Sequence, residues 1–255
     1  MTQEQSLEIL KTGQSVFLTG EPGSGKTHTV RAYVQYLREH AIEPAITAST
    51  GIAATHIHGM TIHSWSGIGI KQALSKADLD KLVHNKFVYR RLTKTNVLII
   101  DEVSMLASRT LDMVDAVCRR VRDTDLPFGG LQVVLVGDFF QLPPVSRMEE
   151  ERARFAFEAE AWQKLDPTIC YLTEQHRQDD LEFLGVLAAL RSGEYTEEHR
   201  QYLQSRVGTH EKVVHELPRL FPHNANVDTI NDRELKKLAG GEQAFLMEST
   251  GSEKF

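Results

Sequence analysis

Cysteine is scarce in this sequence of 255 residues. Only Cys118 and Cys170 occur, and neither belongs to a metal-ligand spacing or to a disulfide framework. This scarcity argues against a small secreted scaffold held by disulfides. We expect both cysteines to be small core residues of a protein from a reducing compartment, with no metal implied.

Long apolar runs are also lacking, and no segment approaches the length of a membrane span. The polar, acidic start MTQEQSLEIL shows neither a signal peptide nor Arg-rich targeting. The sequence has no internal repeat and no low-complexity tract. With 41% hydrophobic and 25% charged residues, it is instead typical of a folded globular protein. A cytosolic or nuclear protein is the expectation.

An excess of positive charge is missing as well, because the formal net charge is −6. A protein that grips nucleic acid over its whole surface needs clustered lysine and arginine, so this class is disfavoured. A local basic track remains, since residues 71–94 carry seven lysines and arginines against two aspartates. Such a segment is either a nucleic-acid contact or a solvated helix face, and the pattern does not decide between them.

Short apolar, β-branched runs bounded by polar turns predict buried strands. They lie at 15–19, 44–48, 97–101, 131–137 and 168–172. Apolar stripes at helical spacing fall between them, on Val30 to Leu37 and on Leu111 to Val121. Alternating strands and helices predict a mostly parallel sheet flanked by helices, whose ligands bind beyond the carboxyl ends of the strands.

The stretch GEPGSGKT at residues 20–27 follows the first predicted strand and precedes a helix. It satisfies the phosphate-loop pattern, in which glycines let backbone N–H groups surround a phosphate, and a helix N-terminus adds its positive dipole end. Lys26 is expected to reach the β and γ oxygens, and the Thr27 hydroxyl to ligate magnesium. An ordinary glycine turn rarely has Lys-Thr at this place.

An acidic pair closes the apolar run VLIIDE at residues 97–102. Asp101 is predicted to hold magnesium through water, and Glu102 to act as general base on the attacking water. The alternative is a helix cap, but the phosphate loop favours catalysis. After the next strand, Gln141 is either a sensor of the γ-phosphate or, with Asp138, a stabiliser of the turn before Pro143. The pattern alone leaves both open.

Several blocks together resemble one family, the Pif-type (petite integration frequency) superfamily 1 DNA helicases, which are relatives of the RecD-like helicases. The matching strings are GEPGSGKT, TASTGIAATHIHGMTIHSW, LIIDEVSML, PFGGLQVVLVGDFFQLPPV, LTEQHRQDD and FPHNANVDTIN. The segment RTLDMVDAVCRRVRDTDLPFGG is similar to a signature that separates the family from other phosphate-loop enzymes. The resemblance covers nearly the whole chain and implies a RecA-like P-loop NTPase domain.

The resemblance also implies roles for individual residues. Gln5 matches the glutamine that reads adenine, Gln141 couples nucleotide to DNA, and Arg177 matches the arginine finger that spreads transition-state charge. Taken alone, an arginine such as Arg177 is more often a surface ion-pair partner. The implied cofactors are ATP and Mg²⁺. The residues implied to contact ATP are Gln5, Gly20, Gly23, Ser24, Gly25, Lys26, Thr27 and His28.

Thr50, Gly51, His63 and Trp65 lie in the block that resembles the family's contact with single-stranded DNA. Hydroxyls and backbone N–H groups suit phosphates, and the rings of His63 and Trp65 suit bases. The alternative for Trp65 is a core aromatic. His56, His58 and His63 suggest zinc only weakly, because they lack nearby cysteine or carboxylate partners.

The resemblance implies two RecA-like domains, of which only the first is fully represented. We expect that domain at residues 1–215, and at 216–255 the truncated beginning of the second, opening on a strand near residues 220–221. Because a partner domain closes the nucleotide cleft in this family, we expect the isolated chain to bind ATP but to turn it over weakly. A monomer is favoured.

The implied function is an ATP-dependent helicase that moves 5′-to-3′ on single-stranded DNA and acts at junctions or duplexes. The resemblance implies a nucleoid-associated cytoplasmic protein if the source is a bacterium, and a nuclear or mitochondrial protein if it is a eukaryote. One alternative is an ATP-binding recruitment module without motor activity, and another is a small-molecule kinase. The acidic pair and Gln141 speak against the first, and the lack of an evident lid or acceptor site speaks against the second.

Overall fold

The structure is a computed structural model that describes residues 1–145, 153–174, 180–207, 220–221, 224–241 and 243. The chain divides into two compact units, residues 1–196 and 197–255. Arg177 and the stretches that surround residues 215 and 255 lie outside the described residues. Within the described part of the chain, no helix is long and apolar enough to cross a bilayer.

The first unit is built on a six-stranded sheet in which every pair of neighbouring strands is parallel. The strands are β1 (Val16–Gly20), β2 (Ala45–Ala48), β3 (Met60–Thr61), β4 (Val97–Asp101), β5 (Gln132–Val136) and β6 (Thr168–Leu172). Their order across the sheet is β3-β2-β4-β5-β1-β6. The predicted parallel sheet is confirmed.

Helices connect the strands. Those of the first unit are α1 (Gln3–Lys11), α2 (Lys26–Glu39), α3 (Gly51–His56), α4 (Ile62–Ser66), α5 (Lys76–His84), α6 (Lys86–Lys94), α7 (Ser108–Arg122), α8 (Glu160–Leu165) and α9 (Leu181–Ser192). Short 3₁₀ helices span Val103–Met105, Pro127–Gly130 and Ala156–Glu158. The second unit contains α10 (Glu197–Ser205) and α11 (Asn224–Leu235).

The central strands β1, β4 and β5 bury both faces, which explains their continuous apolar sequences. Successive side chains of a strand point to opposite faces of the sheet. Val97 and Ile99 accordingly join a cluster with α1 and α2, whereas Leu98 and Ile100 join a second cluster with α4, α6 and α7. The sheet is thus covered by helices on both faces. Cys118 and Cys170 are buried free thiols within these clusters, as the sequence predicted.

The family-like signature at residues 109–130 is a structural clamp. The Phe128 N–H donates to Asp115 Oδ1 at 2.6 Å across the turn after α7. The Arg122 guanidinium donates to the carbonyl oxygens of Gly129, Leu92 and Thr95 at 2.7–3.0 Å. These bonds satisfy the carbonyls at the end of α6, so the clamp joins α6, α7 and the start of β4.

The predicted strands agree with the structure to within one or two residues at each end. Sequence periodicity missed β3, because a strand of two residues shows no alternation. The strand expected at residues 220–221 is wrong, since neither residue has regular secondary structure and the next described element is helix α11.

A buried ion pair anchors α9 to the end of β5. Arg191 Nη1 donates to both carboxylate oxygens of Asp138, at 3.0 and 2.8 Å. The Asp138 side chain is only 1% exposed, and the guanidinium also lies 4.2 Å from the centroid of the Phe140 ring. A carboxylate this deeply buried needs its partner, because an isolated buried charge is costly.

We therefore expect Arg191→Ala to lower the free energy of unfolding by about 3–5 kcal/mol, since it leaves Asp138 buried and unpaired. Arg120→Ala is the matched control. It removes an Arg–Asp pair of similar length, Arg120 with Asp80 at 2.7 Å, but this pair is exposed and should contribute only about 0–1 kcal/mol. Urea denaturation followed by circular dichroism measures both, and equal losses would contradict the assignment.

Candidate functional site

The candidate site lies where the carboxyl ends of three neighbouring strands meet. β5 lies between β1 and β4 in the sheet, so the segments that follow these strands share one edge. The phosphate loop follows β1, Asp101 ends β4, and Asp138 comes shortly after β5. In open parallel sheets this edge is where ligands bind.

The phosphate loop has a backbone that requires its glycines. Gly20 and Gly25 have φ angles of +148° and +89°, which other residues rarely adopt. A Cβ atom on Gly20 would lie 2.6 Å from the Leu172 carbonyl oxygen, and one on Gly25 would lie 2.1 Å from Gln3 Nε2. The loop leads directly into α2, whose first residue is Lys26.

Lys26 points back across the loop. Its Nζ donates to the carbonyl oxygens of Gly20 and Glu21, at 2.9 and 3.1 Å. Burial lowers the pKa of the ammonium group, against the opposing influence of the Asp138, Glu102 and Asp101 carboxylates. The lysine and the acidic residues are thus close enough to influence one another, as the predicted nucleotide site requires.

The acidic pair is held by the ends of β2 and β4. The Glu102 N–H donates to Asp101 Oδ1 at 2.9 Å, and Glu102 has a left-handed backbone with φ of +52°. Ser49, just after β2, donates its hydroxyl to the Glu102 carbonyl oxygen at 2.8 Å. Burial raises the pKa of both carboxyl groups, and each also senses the nearby Lys26 charge. A carboxylate with a raised pKa is a stronger base.

The donor groups fit a magnesium-bound phosphate. Ser24 Oγ is buried and has no hydrogen-bond partner among the described residues, so one polar group of the loop is left for a ligand. The Thr27 hydroxyl and the Asp101 carboxylate supply the oxygen ligands that Mg²⁺ prefers. Thr27 and His28 are exposed at the start of α2, where a ligand can reach them.

The two glutamines near the N-terminus have different environments. Gln5 forms a capping box with Thr2: its Oε1 accepts from the Thr2 N–H at 3.0 Å, and its own N–H donates to Thr2 Oγ1 at 3.2 Å. Gln3, which the sequence did not single out, extends its amide over the phosphate loop and donates to the Ser24 carbonyl oxygen at 3.4 Å.

A pocket of about 290 Å³ opens beside the phosphate loop. Its lining residues are Thr2, Gln3, Glu4, Leu7, His28, Thr29, Ala32 and Glu174. Gln3 and Glu174 come from distant parts of the sequence and meet here because β6 lies next to β1. No local pattern could have revealed this pairing.

Asp138 and Gln141 share a turn after β5. Gln141 donates its N–H to the Asp138 carbonyl oxygen at 2.9 Å, and Asp138 Oδ1 accepts from the Phe140 N–H at 3.1 Å. Asp138 therefore stabilises the turn. The exposed Gln141 side chain lines a pocket of about 250 Å³ with Glu21, Pro22 and Arg191. Its role as a phosphate sensor stays a prediction.

The residues expected to contact DNA follow β2 and β3. Thr50 caps α3 by accepting the Ala53 N–H at 3.2 Å, and Gly51 is exposed in the first turn. His63 is half-buried, and burial lowers the pKa of its imidazole. Among the described residues no group of three or more His, Cys, Asp or Glu side chains surrounds a potential metal ion.

Trp65 is a correction to the expected DNA contact. Only 2% of the residue is exposed, and it packs from α4 into the core cluster that includes α6 and α7, so its ring has no free face on which a base could stack. After β5, the Phe139 ring packs against the rings of Phe17, Phe155, Phe157 and Trp162. Phe140, by contrast, is 69% exposed. Arg177 lies outside the described residues.

Comparison with known proteins identifies close relatives. Over 248 residues, 48% are identical to the ATP-dependent DNA helicase Pif1 of Psychrobacter sp., covering 94% of this chain and 38% of that protein. The crystal structure of the Candida albicans Pif1 helicase superposes with a TM-score of 0.84 at 35% identity, covering 94% of this chain and 54% of that one. The chain thus spans 38% of the length of the first of these relatives and 54% of the second.

A Bacteroides Pif1 helicase solved in complex with ADP-AlF3 and single-stranded DNA also matches, with a TM-score of 0.73 at 30% identity, covering 92% of this chain and 56% of that one. The family model described as PIF1-like helicase matches residues 4–201, which is most of the chain. On the strength of this match and of the site at the sheet edge, the chain belongs to the PIF1-like helicase family.

Proposed function

We propose that this chain is the ATP-binding motor domain of an ATP-dependent DNA helicase that moves 5′-to-3′ on single-stranded DNA. The observation that carries the proposal is the meeting of Lys26 with Asp101 and Glu102 at one edge of the sheet, where their charges act on one another. The relatives are ATP-dependent DNA helicases, and one was solved with a nucleotide complex and single-stranded DNA.

In this proposal the phosphate loop holds ATP, and Lys26 leaves the loop carbonyls for the β and γ oxygens. Thr27 and Asp101 hold Mg²⁺, which neutralises phosphate charge during transfer. Glu102 takes the proton of the attacking water, helped by the burial that raises its carboxyl pKa. Gln5 recognises the adenine base. The loop glycines, Ser24 and His28 also contact the nucleotide.

Nucleotide state is coupled to DNA through Gln141, and Arg177 serves as the arginine finger. Thr50, Gly51 and His63 contact the single strand next to β2, where hydroxyl and backbone groups suit phosphates. We assign residues 1–215 to this first motor domain and residues 216–255 to the start of a second RecA-like domain. DNA junctions and duplexes are the proposed substrates, and a monomer is the proposed working unit.

The proposed function is tested with the protein expressed from its complete reading frame. Duplexes with a 5′ or a 3′ single-stranded tail are incubated with ATP and Mg²⁺, and strand separation is followed by fluorescence. We expect unwinding of the 5′-tailed duplex alone. ATP binding without unwinding or DNA-stimulated hydrolysis would indicate a non-motor ATP-binding module, and preference for the 3′ tail would overturn the polarity.

Glu102→Gln should separate binding from catalysis. The change keeps the size of the side chain but removes the general base, so we expect ATP hydrolysis in the presence of single-stranded DNA to fall by about 10²–10⁴-fold while nucleotide affinity persists. Lys26→Ala should instead abolish binding of a fluorescent ATP analogue. Glu8→Gln, on the exposed side of α1, is the control for loss of a carboxylate. Undiminished hydrolysis by Glu102→Gln would contradict the assignment.

Gln5→Glu tests adenine recognition without disturbing the helix. Glutamate also completes a capping box, because it keeps the oxygen that accepts the Thr2 N–H. It lacks the amide donor that a glutamine offers to adenine. We therefore expect an unchanged melting temperature and a loss of preference for ATP over GTP, measured by competition with a fluorescent analogue. If the variant keeps its preference for ATP over GTP, Gln5 does not recognise adenine, and Gln3 becomes the candidate.

A further inference from the structure

A second groove lies at the amino ends of β2 and β4. It has a volume of about 620 Å³, which is within the range of ligand pockets. We call it the amino-end groove. The lining residues are Arg38, Glu43, Pro44, Ala45, Ile46, His58, Gly59, Met60, Trp65, Phe87, Arg90, Arg91, Lys94 and Thr95.

The lining of the groove excludes the residues of the nucleotide edge, although Arg38, Ile46 and His58 also line a neighbouring pocket that includes Thr27 and Asp101. Pro44 and Ala45 precede or open β2, whereas Ser49 and Thr50 follow its carboxyl end. A strand of four residues spans about 13 Å, so the length of β2 lies between the two sites. Neither the phosphate loop nor the acidic pair contributes to the groove lining.

The rim of the amino-end groove is strongly basic. Arg38 is paired with Glu43, its Nη2 lying 2.7 Å from Glu43 Oε1, so the one carboxylate of the lining is already neutralised. Arg90, Arg91 and Lys94 remain, and in the described part of the chain no carboxylate pairs with them. The groove therefore offers three uncompensated positive charges to an incoming group.

Two buried donors in the lining lack acceptors. Trp65 is 2% exposed, and its Nε1–H has no hydrogen-bond partner among the described residues. Arg91 donates from Nη2 to the Ser64 carbonyl oxygen at 2.9 Å, yet its buried Nε has no partner there either. Buried donors are normally satisfied, so this pair indicates an oxygen acceptor supplied from outside.

Part of the lining is apolar and exposed. Pro44, Ala45, Ile46 and Met60 lie at the start of the neighbouring strands β2 and β3, and Phe87, which is 85% exposed, lies beside them on α6. An exposed aromatic next to a concave apolar surface is typical of an anchor site for a bulky apolar side chain.

We propose that the amino-end groove binds an acidic peptide segment that carries a bulky apolar residue. Carboxylates of the peptide pair with Arg90, Arg91 and Lys94, an oxygen accepts from Trp65 or Arg91, and the apolar side chain packs against Phe87 and Met60. A nucleic-acid strand fits less well, because nucleotide tracks use successive stacking rings and this lining has one exposed aromatic.

The test measures binding of a fluorescein-labelled peptide, four acidic residues followed by Leu-Phe, to the full chain by fluorescence anisotropy. We expect saturable binding that weakens by about tenfold or more when Ala-Ala replaces Leu-Phe. The double change Arg90→Glu with Lys94→Glu should weaken binding at least as much. Lys76→Glu with Lys81→Glu is the matched control, since both lysines lie on α5 outside the lining, and it should leave the affinity within about twofold.

Phe87→Ala provides a second variant that carries little risk to folding, because the side chain is so exposed, and it should also weaken the peptide. Melting temperatures verify the fold of every variant. Absence of peptide binding to the unaltered chain, or equal losses in the α5 control, would overturn the proposal. So would a dT oligonucleotide that binds through Arg90 and Lys94 where the peptide does not, or a second copy of the chain found to occupy the groove.

Discussion

The structure depends on a lysine and two carboxylates that one sheet edge forces together. Lys26 follows β1, Asp101 ends β4 with Glu102 directly after it, and Asp138 follows β5, the strand between them. Bringing these charges into a partly buried edge is costly, as the lowered lysine pKa and the raised carboxyl pKa values indicate. Hydrogen bonds from Lys26 to the loop carbonyls offset part of that cost. In the proposed function, a magnesium-bound triphosphate would offset it more fully.

The surrounding elements hold this edge in place. The clamp formed by Asp115 and Arg122 joins α6, α7 and the segment that leads into β4. It therefore helps to fix the position of the strand that carries the acidic pair. Ser49 ties the end of β2 to the Glu102 carbonyl, which connects the predicted DNA-contact segment to the acidic pair. The Asp138–Arg191 ion pair joins α9 to the segment after β5. Hydrogen bonds and an ion pair thus link the sheet edge to the segments that follow β2 and β5.

The two ends of the parallel sheet offer different chemistry. The carboxyl end collects glycines, hydroxyls and acidic groups suited to phosphate and metal. The amino end collects Arg90, Arg91 and Lys94 around a partly apolar groove, and no carboxylate of the described residues pairs with them. The basic segment at residues 71–94 is accordingly not one uniform surface: Lys71 pairs with Asp78, while Arg90 and Lys94 line the groove.

The sequence by itself determined the elements whose signals are local. The phosphate loop is recognisable because Gly20 and Gly25 need unusual φ angles. Five strands are recognisable because they are short, apolar, β-branched runs bounded by polar turns. The acidic pair and the parallel sheet follow from the same local patterns. Tertiary structure alone decided which side chains meet across strands: Gln3 over the loop, Arg191 on Asp138, and Trp65 in the core instead of on a DNA surface. These contacts join residues far apart in the chain, and their energies depend on burial and geometry, which the local sequence does not specify.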